Sequence, residues 1–159
     1  MTLERYVEVG KKRLRCGYTT GTCAAAAAQA CGQALLAGNF PHSLRIDTPA
    51  GIAVVVEPEE MHRGTDAQGT PWASCGVRKD AGDDADATDG ALVVVRVSLV
   101  NTPGTTIEGG AGVGRVTRAG LDQPVGAAAI NSVPRAMIAS ELERIAREHG
   151  WQGGFAVEV

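Results

Sequence analysis

The sequence predicts an α+β fold, a two-layer sandwich of a mostly antiparallel sheet with helices packed on one face. Three observations carry this. An alanine-rich stretch after Thr22 lacks any charge, short β-rich runs are joined by turn residues, and a second amphipathic stretch lies near the carboxy end. At 159 residues the chain is read as one domain, 1–159.

The elements follow in order. Residues 1–15 carry five basic and two acidic side chains and are read as an arm or edge strand. Thr19-Thr20-Gly21-Thr22 then precedes Cys23 and the run Ala24 to Ala28. Alanine is the best helix former, threonine caps helix starts and Gly38 is a natural stop, so a helix is expected from about Thr22 to Ala37. Without a charged side chain it must be deeply buried, and its small side chains let neighbours approach closely. Ser43–Asp47 and Ile52–Glu57, joined by Thr48-Pro49-Ala50-Gly51, read as a hairpin. Residues 58–71 read as a polar loop. Trp72–Lys79 is a candidate strand, an acidic loop follows, and Ala91–Val100, with three consecutive valines, suits a central strand. Gly109–Gly126 is glycine-rich yet too apolar for a linker. Val133–His149 repeats apolar residues at helical spacing, with Asn131 or Ser132 as its cap and Gly150 as its stop. Phe155–Val159 begins a strand whose pattern is still running at the last residue, which suggests an excerpt from something longer.

Composition narrows the function classes. The net charge of −3 and the 4% aromatic content argue against nucleic acid as a partner. The apolar runs are far shorter than the roughly 20 residues that cross a bilayer, and residues 1–15 do not form a signal peptide. No membrane role is expected, and the place is the cytoplasm. Cys16, Cys23, Cys31 and Cys75 form no close pair and the three histidines lie far from them, so no metal site is expected. These cysteines read as small thiols in a reducing compartment, with a catalytic thiol at Cys16 or Cys75 left open.

Three segments could carry chemistry. Thr19, Thr20, Gly21 and Thr22 open a helix, where free amides and the helix dipole favour an anion; taken alone, simple capping explains them better. Gly112 and Gly114 let a ligand approach the backbone, and Arg115, Thr117 and Arg118 beside them suit carboxylate or phosphate. A dinucleotide fold is not indicated there, because no strand immediately precedes the glycines and no helix opens after them. The stretch Lys79-Asp80-Ala81-Gly82-Asp83-Asp84 continues to Asp86 and Asp89. It crowds five carboxylates, which serve either as turn formers or as acid–base groups, with magnesium open as an alternative.

Taken together, these motifs resemble a known family. Arg15-Cys16-Gly17-Tyr18-Thr19-Thr20-Gly21-Thr22-Cys23, the acidic stretch from Lys79 to Gly90, and Gly110-Ala111-Gly112-Val113-Gly114-Arg115-Val116-Thr117 are similar to three signatures of the cobalt-precorrin-5B C1-methyltransferase family of anaerobic cobalamin biosynthesis. The third signature extends through Gly120-Leu121, Pro124-Val125-Gly126 and Val133-Pro134-Arg135. The resemblance implies transfer of a methyl group from S-adenosylmethionine to ring carbon C1 of cobalt-precorrin-5B, giving cobalt-precorrin-6A. Cobalt would arrive within the substrate. The resemblance also implies a second, carboxy-terminal part of similar length as partner, without which this piece should not turn over and which is a candidate seat for the donor. Ala119 stands where the family usually has proline. The expected roles are substrate carboxylate binding by Thr19, Thr20, Gly21, Thr22, Gly112, Gly114, Arg115, Thr117 and Arg118. Charge stabilisation or proton acceptance falls to Asp80, Asp83 or Asp84, with Lys79 keeping the carboxylate ionised. The alternatives are a non-catalytic module that assembles with the missing part, and a magnesium-dependent phosphate site.

Overall fold

A computed structural model describes residues 4–159. In chain order they form β1 (Tyr6–Val9), β2 (Lys12–Arg15), α1 (Thr20–Ala37), β3 (Leu44–Asp47), β4 (Ala53–Val56), β5 (Glu59–Thr65), β6 (Pro71–Arg78), β7 (Leu92–Val100), β8 (Gly104–Glu108), α2 (Ser132–His149) and β9 (Gly154–Glu158). The α+β expectation holds: α1 and α2 pack with a five-stranded sheet ordered β5-β6-β7-β9-β8, and two separate hairpins, β1–β2 and β3–β4, complete the fold. Every pairing is antiparallel except β8 with β9.

The charge-free α1 is buried because it has neighbours on several sides. It packs on β6 and β7, on α2, and on β3. Cys23 and Ala25 to Ala28 are fully buried. Close packing against α2 depends on two glycines eleven residues apart, hence three turns apart on one face. A Cβ on Gly21 would stand 3.0 Å from Pro134, and one on Gly32 would stand 2.9 Å from Leu142. Ile138, Leu142 and Ile145 supply the apolar stripe of α2, and all three are fully buried. The sheet contributes Ala73, Cys75, Val77, Val95, Val97, Phe155 and Val157 to the same core.

Both helices end as the sequence implied, with Gly38 and Gly150 left-handed at φ 94° and 67°. Thr19 caps α1, its hydroxyl accepting from the Thr22 amide at 3.1 Å, so the helix opens slightly before the expected Thr22. Asn131 occupies the cap position of α2 without a side-chain bond. Asp122, ten residues upstream, does that work: its carboxylate accepts from the Ser132 amide at 2.5 Å.

One expectation needed correction. Residues 58–71 are not all loop, because β5 occupies Glu59–Thr65. Its residues are almost all exposed, so no buried alternation marked it. Its Arg63 donates to the carbonyls of Gly38 and Ala34, placing a cation at the negative end of α1. A correction of another kind is an omission: β8, a short Thr-containing strand, lies where no element was read from the sequence at all. The basic segment before Cys16 forms the β1–β2 hairpin from Tyr6 to Arg15.

Candidate functional site

The three signature segments converge on the amino end of α1. The first and second meet backbone to backbone. Cys16 and Gly82 form an isolated antiparallel bridge, and the Tyr18 amide donates to the Asp80 carbonyl at 2.8 Å. A Cβ on Gly17 would lie 2.2 Å from the Ala81 carbonyl carbon. A Cβ on Gly82 would lie 2.3 Å from the Arg15 carbonyl oxygen, and Gly82 is left-handed at φ 67°. Only glycine allows two main chains to cross at this distance.

The charges around this crossing answer one another. Arg15 grips Asp80 bidentately, at 2.7 and 2.8 Å. That guanidinium holds the Asp80 carboxyl below the usual carboxylate range. Asp80 also accepts from the Gly82 amide, and Asp83 accepts from the Arg15 amide at 2.6 Å. Lys79 is buried, with its ammonium on Asp86 and on the Thr88 hydroxyl. The bond from Lys79, with two further bonds from Thr88, depresses the Asp86 carboxyl. Asp89 accepts from the Ala81 amide at 2.9 Å. Of the five carboxylates, Asp84 makes no side-chain hydrogen bond among the described residues. It lines a cleft of about 460 Å³ with Arg15, Cys16, Tyr18, Thr19 and Lys79. Burial pushes the Tyr18 phenol up to about 12, so it stays protonated and donates to the Arg78 carbonyl at 2.9 Å.

The third segment meets α1 from the other side. Thr20 and Gly21 share a cleft of about 530 Å³ with Gly112, Gly114, Asn131 and the start of β7. The first amides of any helix have no partner within it. Thr19 takes up the Thr22 and Cys23 amides, through its hydroxyl and its carbonyl. Those of Thr20 and Gly21 belong to residues of the cleft wall.

Gly112 is left-handed at φ 82°, which explains its glycine. Gly114 is different, because its conformation does not require glycine and a Cβ there would meet only Ala129, at 4.0 Å. Neither strain nor packing accounts for it, and it lines the cleft.

The glycine-rich segment is ordered by its own bonds. The Val116 amide donates to the Ala127 carbonyl and the Gly126 amide to the Val116 carbonyl, and Arg115 and Ala128 form a bridge. Val116, Ala128 and Ile130 are buried beneath. Arg135 donates to the carbonyls of Ile130, Ala128 and Ile107, tying the segment to α2 and β8. Arg115, Thr117 and Arg118 are exposed and stand outside the cleft walls; Arg115 donates to the Gly126 carbonyl at 3.0 Å.

The expected residues therefore divide. Thr19, Lys79 and Asp84 share the first cleft, and Thr20, Gly21, Gly112 and Gly114 share the other. Thr22 is buried and serves the cap, its hydroxyl 3.1 Å from that of Thr19. Asp80 and Asp83 are committed to Arg15. Arg15, Tyr18 and Arg135 were missed as organisers of the site, because their partners lie elsewhere in the chain. The thiols are free: Cys23, Cys31 and Cys75 are buried and Cys16 is half-buried. Among the described residues no group of three or more histidine, cysteine or acidic side chains could hold a metal.

The family model described as CbiD matches residues 7–159. This chain belongs to the CbiD family. A CbiD relative from Treponema denticola, named cobalt-precorrin-5B C(1)-methyltransferase, is 44% identical over 159 residues, covering 100% of this chain and 42% of its own length. One of the same name from Burkholderia cenocepacia is 47% identical over 146 residues, covering 92% of this chain and 39% of its own. The crystal structure of a cobalamin biosynthesis protein (cbiD) from Archaeoglobus fulgidus superposes with a TM-score of 0.62 at 30% identity, over 97% of this chain and 46% of that one. The chain thus spans about two fifths of the length of these curated CbiD relatives, matching their amino-terminal part.

Proposed function

We propose that this chain is the substrate-holding part of a CbiD-type enzyme that methylates ring carbon C1 of cobalt-precorrin-5B, giving cobalt-precorrin-6A in cobalamin biosynthesis. The observation that carries the reading is Gly114, a glycine without a structural reason, on the wall of the cleft that Thr20 and Gly21 at the start of α1 also line. A backbone kept bare beside helix-start amides suits close approach of a carboxylate. The substrate implied by the relatives' name is a macrocycle ringed with carboxylates. Each cleft is too small to enclose such a ring, so it would lie across the α1 start with its side chains in the clefts on either side. Arg115 and Arg118, both exposed, would meet peripheral carboxylates.

S-adenosylmethionine, implied by the relatives' activity, supplies an electrophilic methyl group when bound. An apolar slot of about 290 Å³ beside α1, walled by Tyr18, Pro49, Ile52, Pro134 and Met137, fits a flat heteroaromatic base. In this reading the chain works chiefly by positioning, fixing the acceptor ring so that methyl transfer proceeds in line. Asp84, which lines the first cleft and has no side-chain hydrogen bond among the described residues, would offset positive charge arising on the ring or take its proton. Asp80 and Lys79 hold the loop that presents it. The longer relatives' remaining part would complete the donor site and the turnover.

The test is titration with a cobalt corrinoid polycarboxylate, followed by its visible absorbance. Saturable binding that weakens with salt, with Gly114→Val and with Arg115→Ala is expected. Absence of binding by the folded chain would overturn the reading and favour a module that serves only for assembly.

A further inference from the structure

Among the described residues, the sheet has an empty strand position beside the Gly112–Gly114 cleft. β7 pairs with β6 from Leu92 to Ser98, but with β9 only from Arg96 to Val100. Leu92 to Val95 therefore form an open edge on the β9 side. The direction of their backbone groups follows from register. The Lys79 amide donates to the Ala91 carbonyl, so odd-numbered β7 residues bond toward β6. The N–H and C=O of Val94 and Leu92 accordingly point into the open position. Unpaired edges of this kind are templates for another strand. Both residues line the cleft, and the Val94 side chain is 45% exposed.

β9 already runs toward this position. Glu158 lies opposite Arg96, and Val159 is still held on its other side, donating to Glu108 and accepting from Gly110. The same antiparallel register sets position 160 opposite Val94 and position 162 opposite Leu92. The curated relatives extend well beyond the region matched here.

We propose that the segment following the matched region in the longer CbiD proteins continues β9 along Leu92–Val94 and forms a wall of the cleft where Thr20, Gly21, Gly112 and Gly114 meet. The entering strand exchanges two hydrogen bonds with Val94 and places an apolar side chain beside that of Val94. The cleft is then completed by both parts of the longer chain. This goes beyond the substrate reading, and its test needs no ligand, so either can fail alone.

The test compares this chain with the same chain extended at Val159 by the residues that follow the matched region in the Treponema denticola relative. Amide hydrogen exchange is read by NMR. The extension is expected to slow exchange of Val94 and Leu92 at least tenfold, with Val93 and Val95, already bonded to β6, changing little. Proline at the first added position, which removes the donor to the Val94 carbonyl, should abolish the slowing. Unchanged exchange at Val94, or equal slowing of all four amides, overturns the proposal. Slowing in the unextended chain that grows with protein concentration also overturns it, because a second copy would then fill the edge.

Discussion

The acidic loop and the glycine-rich loop flank the same helix start, yet they are built on opposite rules. In the acidic loop the charges are spent on the protein itself: Arg15 holds Asp80, Lys79 holds Asp86, and Asp83 and Asp89 cap backbone amides. In the glycine-rich loop the backbone is held by Arg135 and Asp122 from its base. Its Arg115 and Arg118 remain exposed. Charge therefore acts as a clamp in the first and, in the proposed reading, serves a ligand in the second. Among the described residues Asp84 alone of the five acids makes no side-chain hydrogen bond.

The largest effect expected from breaking this contrast is at the crossing of the first two segments. Gly17→Ala drives a Cβ into the Ala81 main chain, where only backbone displacement relieves the overlap. A loss of about 3 kcal/mol or more is expected in chemical denaturation. A stable Gly17→Ala protein would show that the loops are not locked together.

Arg15→Met comes next. It leaves the half-buried Asp80 carboxylate without its bidentate partner. About 1–2 kcal/mol of stability should be lost, between the values for exposed and buried pairs. The double variant with Asp80→Asn should be less impaired than the two losses summed.

Acid should sharpen the contrast further. Asp80 and Asp86 have depressed folded values, so the stability they confer is complete above the ordinary carboxylate value of about 3.9 and declines as pH falls below it. Amides of residues 80–90 should gain exchange in mild acid before those of residues 112–118. Simultaneous loss of protection would contradict the division.

The smallest effect on stability is expected from Gly114→Ala and Arg115→Ala. Both should stay within about 0.5 kcal/mol of the parent in denaturation. Their effect should fall on corrinoid affinity instead, by roughly tenfold for Arg115→Ala, the worth of one charge-assisted contact. Lost stability with unchanged affinity would make the glycine-rich loop a structural clamp like its counterpart.

How much of this was legible in the sequence depended on range. Both helices, their glycine stops and the β3–β4 hairpin followed from neighbours in sequence. β5 was hidden because an exposed edge strand needs no alternation, and β8 because its parallel partner β9 arrives about fifty residues later. The candidate site divided in the same way. The Thr19 cap was readable within four residues, whereas the grip of Arg15 on Asp80 spans 65. Asp122 capping Ser132 was missed because the natural cap position, Asn131, looked sufficient.

The enclosure of α1 has a thermodynamic consequence. A helix surrounded by the sheet, α2 and the β3–β4 hairpin cannot tilt or fray without disturbing the whole core. The Thr20 and Gly21 amides at its start inherit that stiffness. In the proposed reading, an anion docking there would meet donors whose conformational entropy was surrendered when the chain folded, so little ordering cost would remain at the moment of binding.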